Sequence, residues 1–387
     1  MLVPTKKEKD FIYSLIFDEK RKFEELILNG EINYDRILSI ISLNRIEYFF
    51  LDKLNNTSKS YQLPINFLNK LEKNYLIKSI ITLKIIEKVF ILSNKLIRSN
   101  IEHVFLKGIT LHDQNRKYLR PMRDIDLLVN KKDIPQVVDL ANLLNFKFIN
   151  EGTELLDNFT NNSLFHDLPP MVDDNGVFLE IHFRITTKSD NCYLKDNIFK
   201  SKRLIKIHGI NIYAPCQNSL FAHLVYHGSK KGNFDVGLTA LVDILQLSDK
   251  VNKNKVLRIS ESIELKKLSE IFFELTDFFK NKKIILSVKA RKLKEVLIFP
   301  PLNPTITEIL TQESFLKMLI KIKEVFFASE LQLDREFGSN KSLPRSFYLV
   351  KRWIRQLKKF YSSFFFVLKN LSFVNKRNKT IKDLLKK

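Results

Sequence analysis

Apolar and charged residues alternate at helical spacing from residue 7 to residue 55, as in EKDFIYSLIFDEKRKFEELIL. Apolar positions recurring every three or four residues line one helix face, so this region predicts a series of amphipathic helices. Residues 64–100, PINFLNKLEKNYLIKSIITLKIIEKVFILSNKLIRSN, repeat the pattern and predict one or two long helices. Pro64 suits a helix start, where a missing N–H costs nothing.

The pattern then changes. HVFLKG is short, apolar and closed by Gly108, the mark of a buried strand. ITLHDQNRKY admits a helix, MRDIDLLVN predicts a second strand, and KKDIPQVVDLANLLN predicts a helix with Asp133 near its start. SLFHDLPPMV and VFLEIHFRI predict a strand pair joined through the turn signal DDNG. RLIKIHGINIYAP predicts a hairpin turning at His208 and Gly209. From Gln217 to about Gly338 the spacing is again mostly helical, with a break at FPPLNP, Phe299 to Pro304. The order predicts an α+β fold, a small mixed sheet flanked by N- and C-terminal helical regions. Four stretches follow: helical 1–100, an α/β core over 101–190, mainly helical 191–340, and a tail over 341–387.

Composition narrows the class. A chain of 387 residues with 44% hydrophobic content supports a substantial core and excludes a fully disordered protein. Only 9 glycines and 11 prolines occur, which favours helices over a many-turned β sandwich. The net charge of +22 points to an anionic partner, nucleotide, nucleic acid or acidic lipid, or to a compositional bias that leaves solvated lysines. Cys192 and Cys216 are the only cysteines; they give neither a disulfide framework nor a CxxC zinc spacing, and suit a reducing cytoplasm. The N-terminus lacks the pattern of a signal peptide, and no run approaches the ~18–20 apolar residues that span a bilayer. The expected location is cytoplasmic, with peripheral contact at the inner membrane surface as a further option. That option comes from the tail, where fourteen Lys and Arg face one acid, Asp383, and RWIRQLKKFYSSFFFVLKNL mixes aromatics among the bases. Such a segment suits an acidic membrane or RNA, or else a packed amphipathic helix with a basic end.

The candidate chemistry lies in FLKGITLHDQNRKYLRPMRDIDLLVN, Phe105 to Asn130. On a strand, Asp124 and Asp126 share a face while Ile125 turns to the core. Two carboxylates this close resist joint ionisation unless a cation neutralises them, and a divalent ion with oxygen ligands does so directly. A third acid on a neighbouring strand would complete the set, and Glu180 in VFLEIHFRI is placed among apolar residues as such an acid would be. Upstream, Gly108 would let a phosphate approach the backbone and Lys107 would neutralise it.

These segments resemble the uncharacterised nucleotidyltransferase family, a branch of the polymerase-β-like nucleotidyltransferase superfamily. The resemblance rests on FLKG at Phe105–Gly108, RPMRDIDLLV at Arg120–Val129 and LEIHFRI at Leu179–Ile185, and extends to HDLPP, HLVYHGSKKG and ALVDILQL. It implies transfer of a nucleoside monophosphate from an NTP to an acceptor, with release of pyrophosphate. Asp124, Asp126 and Glu180 would be catalytic carboxylates holding Mg²⁺ or Mn²⁺. Lys107 and Gly108 would face the triphosphate, where the wider superfamily has Gly-Ser or Gly-Gly. Arg120 and Arg123 would contact phosphate or acceptor, although a small residue often stands where Arg123 does.

The histidines are weighed beside this. His166 and His182 fall near the proposed acids, where they would orient them or meet substrate. His223 and His227 share a helix face, but HLVYH lacks the HExxH glutamate and a third ligand, so core or supporting roles fit better than zinc. The pairs His112-Asp113 and His166-Asp167 suggest a phosphohydrolase only if further ligands lie on helices. The competing non-enzyme reading is an inactive nucleotidyltransferase fold, a binding or regulatory module whose basic tail contacts acidic membrane or RNA. The acceptor stays open among a small molecule, a glycan or lipid intermediate, a protein and RNA.

Overall fold

The N-terminal helices begin where capping chemistry starts them. In this computed structural model Thr5 accepts the Glu8 N–H at 3.2 Å, and the Glu8 carboxylate accepts the Thr5 N–H at 2.7 Å. This reciprocal capping box opens α1, Lys6–Ile16. It is followed by α2 (Lys20–Leu28), α3 (Tyr34–Leu43) and α4 (Glu47–Asn56). Next comes α5, Ile65–Arg98, one unbroken helix of 34 residues and about 50 Å in length. Its buried positions, from Phe67 through Leu71, Tyr75, Thr82, Ile86 and Val89 to Leu96, fall on one stripe.

The structure describes residues 3–298, except 31, 57–62, 113–116, 150–159, 162–164, 187–192, 208, 232–233 and 235–236, together with 323, 327, 333, 336, 337 and 344–385. Side chains of 230, 231, 358–369, 371 and 373 are not described. Asp113, Cys192, His208, the FPPLNP break and the first residues of the tail lie outside the described residues.

The five-stranded sheet has the order β1-β2-β5-β4-β3. Its strands are β1 (His103–Leu106), β2 (Asp124–Val129), β3 (Lys147–Phe148), β4 (Met171–Val172) and β5 (Phe178–His182). β2 is antiparallel to β1 and parallel to β5, so the sheet is mixed. The DDNG turn joins antiparallel β4 and β5: Asp173 Oδ1 accepts from Asn175 and Val177, and Gly176 takes φ +76. The segment expected as a helix after Gly108 forms only a five-residue 3₁₀ turn, Lys107–Leu111, among the described residues. Between β2 and β3 lies α6, Ile134–Asn142.

Beyond the sheet come α7 (Tyr193–Lys200), the hairpin of β6 (Arg203–Ile207) and β7 (Ile210–Ala214), and α8 (Gln217–Tyr226), which runs into a π-helical turn, His227–Lys231. The rest is helical: α9 (Leu238–Leu247), α10 (Lys253–Ser262), α11 (Lys266–Lys280), α12 (Val288–Leu297), α13 (Arg345–Lys369) and α14 (Leu371–Leu385). No described helix is long and apolar enough to cross a membrane.

Among the described residues two hydrophobic cores form. One face of the sheet, with Phe105, Ile125, Leu127 and Val129, packs on Ile85, Val89 and Leu92 of α5 and on Val137 of α6. The other face sends Val104, Leu106 and Leu128 into a helical core built from α1, α3 and α4, from α8 to α12, and from Ile381 and Leu384 of α14. Alternation along the strands therefore puts Asp126, in step with Leu128, on the face toward the helical body. Phe67, Leu71 and Tyr75 place the first half of α5 in that same helical core, so this one helix serves both. The tail is not a loose appendage either, because α14 docks its apolar face on the helices before it.

Candidate active site

The register of three strands assembles the acids. Leu106 pairs across from Asp126 on one side, and Glu180 pairs with Asp126 on the other. Asp124 lies two residues before Asp126, and His182 two residues after Glu180, so all four share a face. Lys107, which follows β1 in a left-handed conformation at φ +44, puts its ammonium 2.5 Å from Asp126 Oδ1. That conformation is one a lysine rarely adopts, and here it sets the cation against the acid. His182 Nε2 lies 3.0 Å from the same Oδ1 and 3.6 Å from Glu180 Oε2. Ligand atoms of Asp126, Glu180 and His182 all fall within 4.8 Å of one another.

Electrostatics divides the acids. Burial would raise Asp126, yet the Lys107 ammonium and the His182 hydrogen bond hold it well below the usual carboxylate range. Glu180 is lowered, first by the His182 imidazole beside it, against opposing burial and the Asp126 charge. Asp124 goes the other way: burial, then the charge of Asp126, push its carboxyl up to about 6. Lys107 is buried too, but the charges of Asp126 and Asp124 outweigh that and keep it protonated. The face thus carries more negative charge than its one lysine neutralises, and its oxygen-rich donor set suits Mg²⁺ or Mn²⁺, with one imidazole added.

The stretch leading into β2 is pinned from both sides. Tyr75 and Thr82 of α5 accept the backbone N–H groups of Leu119 and Met122 at 2.8 and 3.0 Å. Pro121, between them, has no N–H to satisfy. Arg120, expected to meet phosphate or acceptor, instead donates two 2.7 Å hydrogen bonds to both carboxylate oxygens of Asp243 on α9. Asp243 is buried and the Arg120 side chain is largely so. Gly108 packs closely on Met122: a Cβ there would lie 3.1 Å from the Met122 sulfur, which would have to shift by a few tenths of an ångström. Arg123 is exposed at the start of β2.

His166 joins the site's edge, with its ring centroid 5.8 Å from that of His182 and its Nδ1 3.6 Å from Asp167. His166, Asp167 and His182 form a second group with ligand atoms within 4.8 Å. One small pocket is lined by Lys107, His166, His182 and Arg184 together with His223 and His227 of the helical body. Two functional candidates escape sequence reasoning. Asp243 left a faint signal as the single acid in ALVDILQL. Arg45, in the turn between α3 and α4, left none; its charge acts on Asp124 across the site.

Comparisons with known proteins give the family of the chain. A solved structure of an antigenic nucleotidyltransferase-like protein from Paracoccidioides brasiliensis is similar at 14% identity, covering 53% of this chain and 94% of that one, with a TM-score of 0.35. No curated protein matches the chain. The sequence pattern of the uncharacterised nucleotidyltransferases matches residues 30–279, from α3 through the sheet to α11. The chain belongs to the uncharacterised nucleotidyltransferase family.

Proposed function

We propose that the protein transfers a nucleoside monophosphate from an NTP to an acceptor with release of pyrophosphate, in a reaction that depends on a divalent ion. One observation carries this reading: the β2–β5 register sets Glu180 against Asp126, with Asp124 on the same face and its carboxyl crowded up to about 6. Asp124, Asp126 and Glu180 would hold Mg²⁺ or Mn²⁺, with His182 beside them. When bound, the metal neutralises charge on the phosphates and polarises the reacting phosphoryl group. His182 holds the rotamer of Asp126 by its hydrogen bond and stands beside Glu180. Lys107 neutralises Asp126, and with Gly108 and Arg123 it would face the phosphates of the nucleotide. Arg120 acts by position, tying the start of β2 to α9.

The tail supports a membrane-surface setting for the reaction. On α13, Phe347, Val350, Ile354 and Leu357 form an exposed apolar stripe, with Lys351 and Arg355 among them. An amphipathic helix of this charge suits an acidic bilayer surface.

Incubation with each NTP labelled at the α-phosphate and a cell lysate tests the reaction. Label should enter one acceptor fraction with wild-type protein and none with Asp124→Asn/Asp126→Asn. Equal, metal-independent NTP binding by both proteins would identify a non-catalytic binding module instead.

A further inference from the structure

The segment leading into β4 is laddered onto the end of β5. Leu168 donates to the Ile181 carbonyl at 2.9 Å, and Phe183 and Arg184 both donate to that of His166 at 3.1 Å. Asp167 is thereby bridged antiparallel to His182. Residues directly opposed in such a pairing send their side chains to one side, so the Asp167 carboxylate and the His182 imidazole stand together. Both residues are buried. His166 completes the set, with Nδ1 3.6 Å from Asp167 Oδ1 and its ring centroid 5.8 Å from that of His182. One ligand atom from each of the three falls within 4.8 Å of the other two. Backbone pairing thus gathers two imidazoles and a carboxylate, and it does so without any metal to draw them in.

The space beside them selects the occupant. The pocket bordered by His166 and His182 has a volume of about 10 Å³, close to what one water molecule needs and too little for a phosphate. Its two fixed cations are directed elsewhere. The Lys107 ammonium lies on Asp126, and the Arg184 guanidinium donates to the Phe165 and Thr160 carbonyls at 2.9 and 3.2 Å. His223, Tyr226 and His227, from α8 and the turn after it, wall the remaining side. Two imidazoles with one carboxylate suit Zn²⁺ and Co²⁺, whereas Mg²⁺ prefers an oxygen set such as Asp124, Asp126 and Glu180. His182 is common to both groups, so the two sites would share a wall.

We propose that His166, Asp167 and His182 form a binding site for one transition-metal ion of the zinc class, next to the Asp124, Asp126 and Glu180 face and different from it in ligand chemistry. The probe is Co²⁺, whose visible absorption bands report its ligands, titrated into the full chain with Mg²⁺ in excess. Wild-type protein should take up one Co²⁺ with those bands. His166→Ala and Asp167→Asn should each weaken Co²⁺ binding by more than the ~10–100-fold that even an outer partner of a ligand contributes. Asp124→Asn/Glu180→Gln should retain the bands. Zn²⁺ should raise the melting temperature of wild type and leave that of His166→Ala and Asp167→Asn where it stands. Each variant is read against its own melt without zinc, so a loss of stability is not mistaken for a loss of metal. Unchanged Co²⁺ affinity in His166→Ala and Asp167→Asn overturns the proposal, as does wild-type protein without bands. So does loss of the bands in Asp124→Asn/Glu180→Gln, which would put the ion on the carboxylates and leave the histidines as their support.

Discussion

Asp126 on β2 and Glu180 on β5 are direct partners across parallel strands, and His182 bonds to the first while facing the second. Glu180→Gln keeps the shape of this pairing and removes one charge. It should lower nucleotidyl transfer by roughly 10²-fold or more with the melting temperature preserved. Asp126→Asn should cost activity and stability together, because it strips the buried Lys107 ammonium of its partner. Single-turnover transfer read beside thermal melting separates the two effects.

His182→Ala should act through the acids. Orienting groups of this kind contribute about 10–100-fold to metal affinity, so Mn²⁺ titration should weaken by that factor. Folding by circular dichroism should stay intact. Unaltered Mn²⁺ affinity would leave His182 with a packing role alone.

The buried Arg120–Asp243 pair should show the asymmetry of buried ions. Asp243→Asn or Arg120→Gln leaves a desolvated charge without its partner and should cost about 3–5 kcal/mol in urea unfolding. Arg120→Met with Asp243→Leu removes both charges and should recover much of that loss.

Asp124 sets the pH response. Its carboxyl is raised from 3.8 to about 6, so its proton favours the folded state below 3.8, and that contribution is lost as pH rises through 6. The metal competes with the same proton. Mg²⁺ affinity should therefore climb about tenfold per pH unit below 6 and level off above 7. Asp124→Asn should abolish this slope in calorimetric titrations.

Deleting residues 341–387 should damage the fold rather than only a surface contact, since Ile381 and Leu384 are core residues, each costing ~2–5 kcal/mol on truncation. Serine at Phe347, Val350, Ile354 and Leu357 tests the stripe more cleanly. Sedimentation with vesicles of phosphatidylglycerol and phosphatidylcholine should fall sharply for that variant, with melting unchanged. Retained sedimentation would move membrane contact away from α13.

The acids were legible because strand periodicity is local: DID fixes a shared face, and an acid among apolar residues in FLEIH marks a partner strand. The long α5 and the DDNG turn were legible for the same reason, as each is decided by neighbours in sequence. Arg120 was not, because its destination depends on Asp243, brought near only by packing. Lys107 carried the right charge in the right place, but sequence could not show that Asp126 occupies it at rest. His223 and His227 read as core or supporting residues on one helix face, and only packing shows α8 and its π-helical turn bringing them to the pocket with His166 and His182.

The dual membership of α5 has a thermodynamic consequence. Its first half is buried with the helices and its second half with the sheet, so neither region can melt without stripping apolar surface from the same rod. Ligand occupancy at the carboxylates should thus protect backbone amides as far away as α1 and α3 from hydrogen exchange, because binding energy gained by one half is shared by the whole.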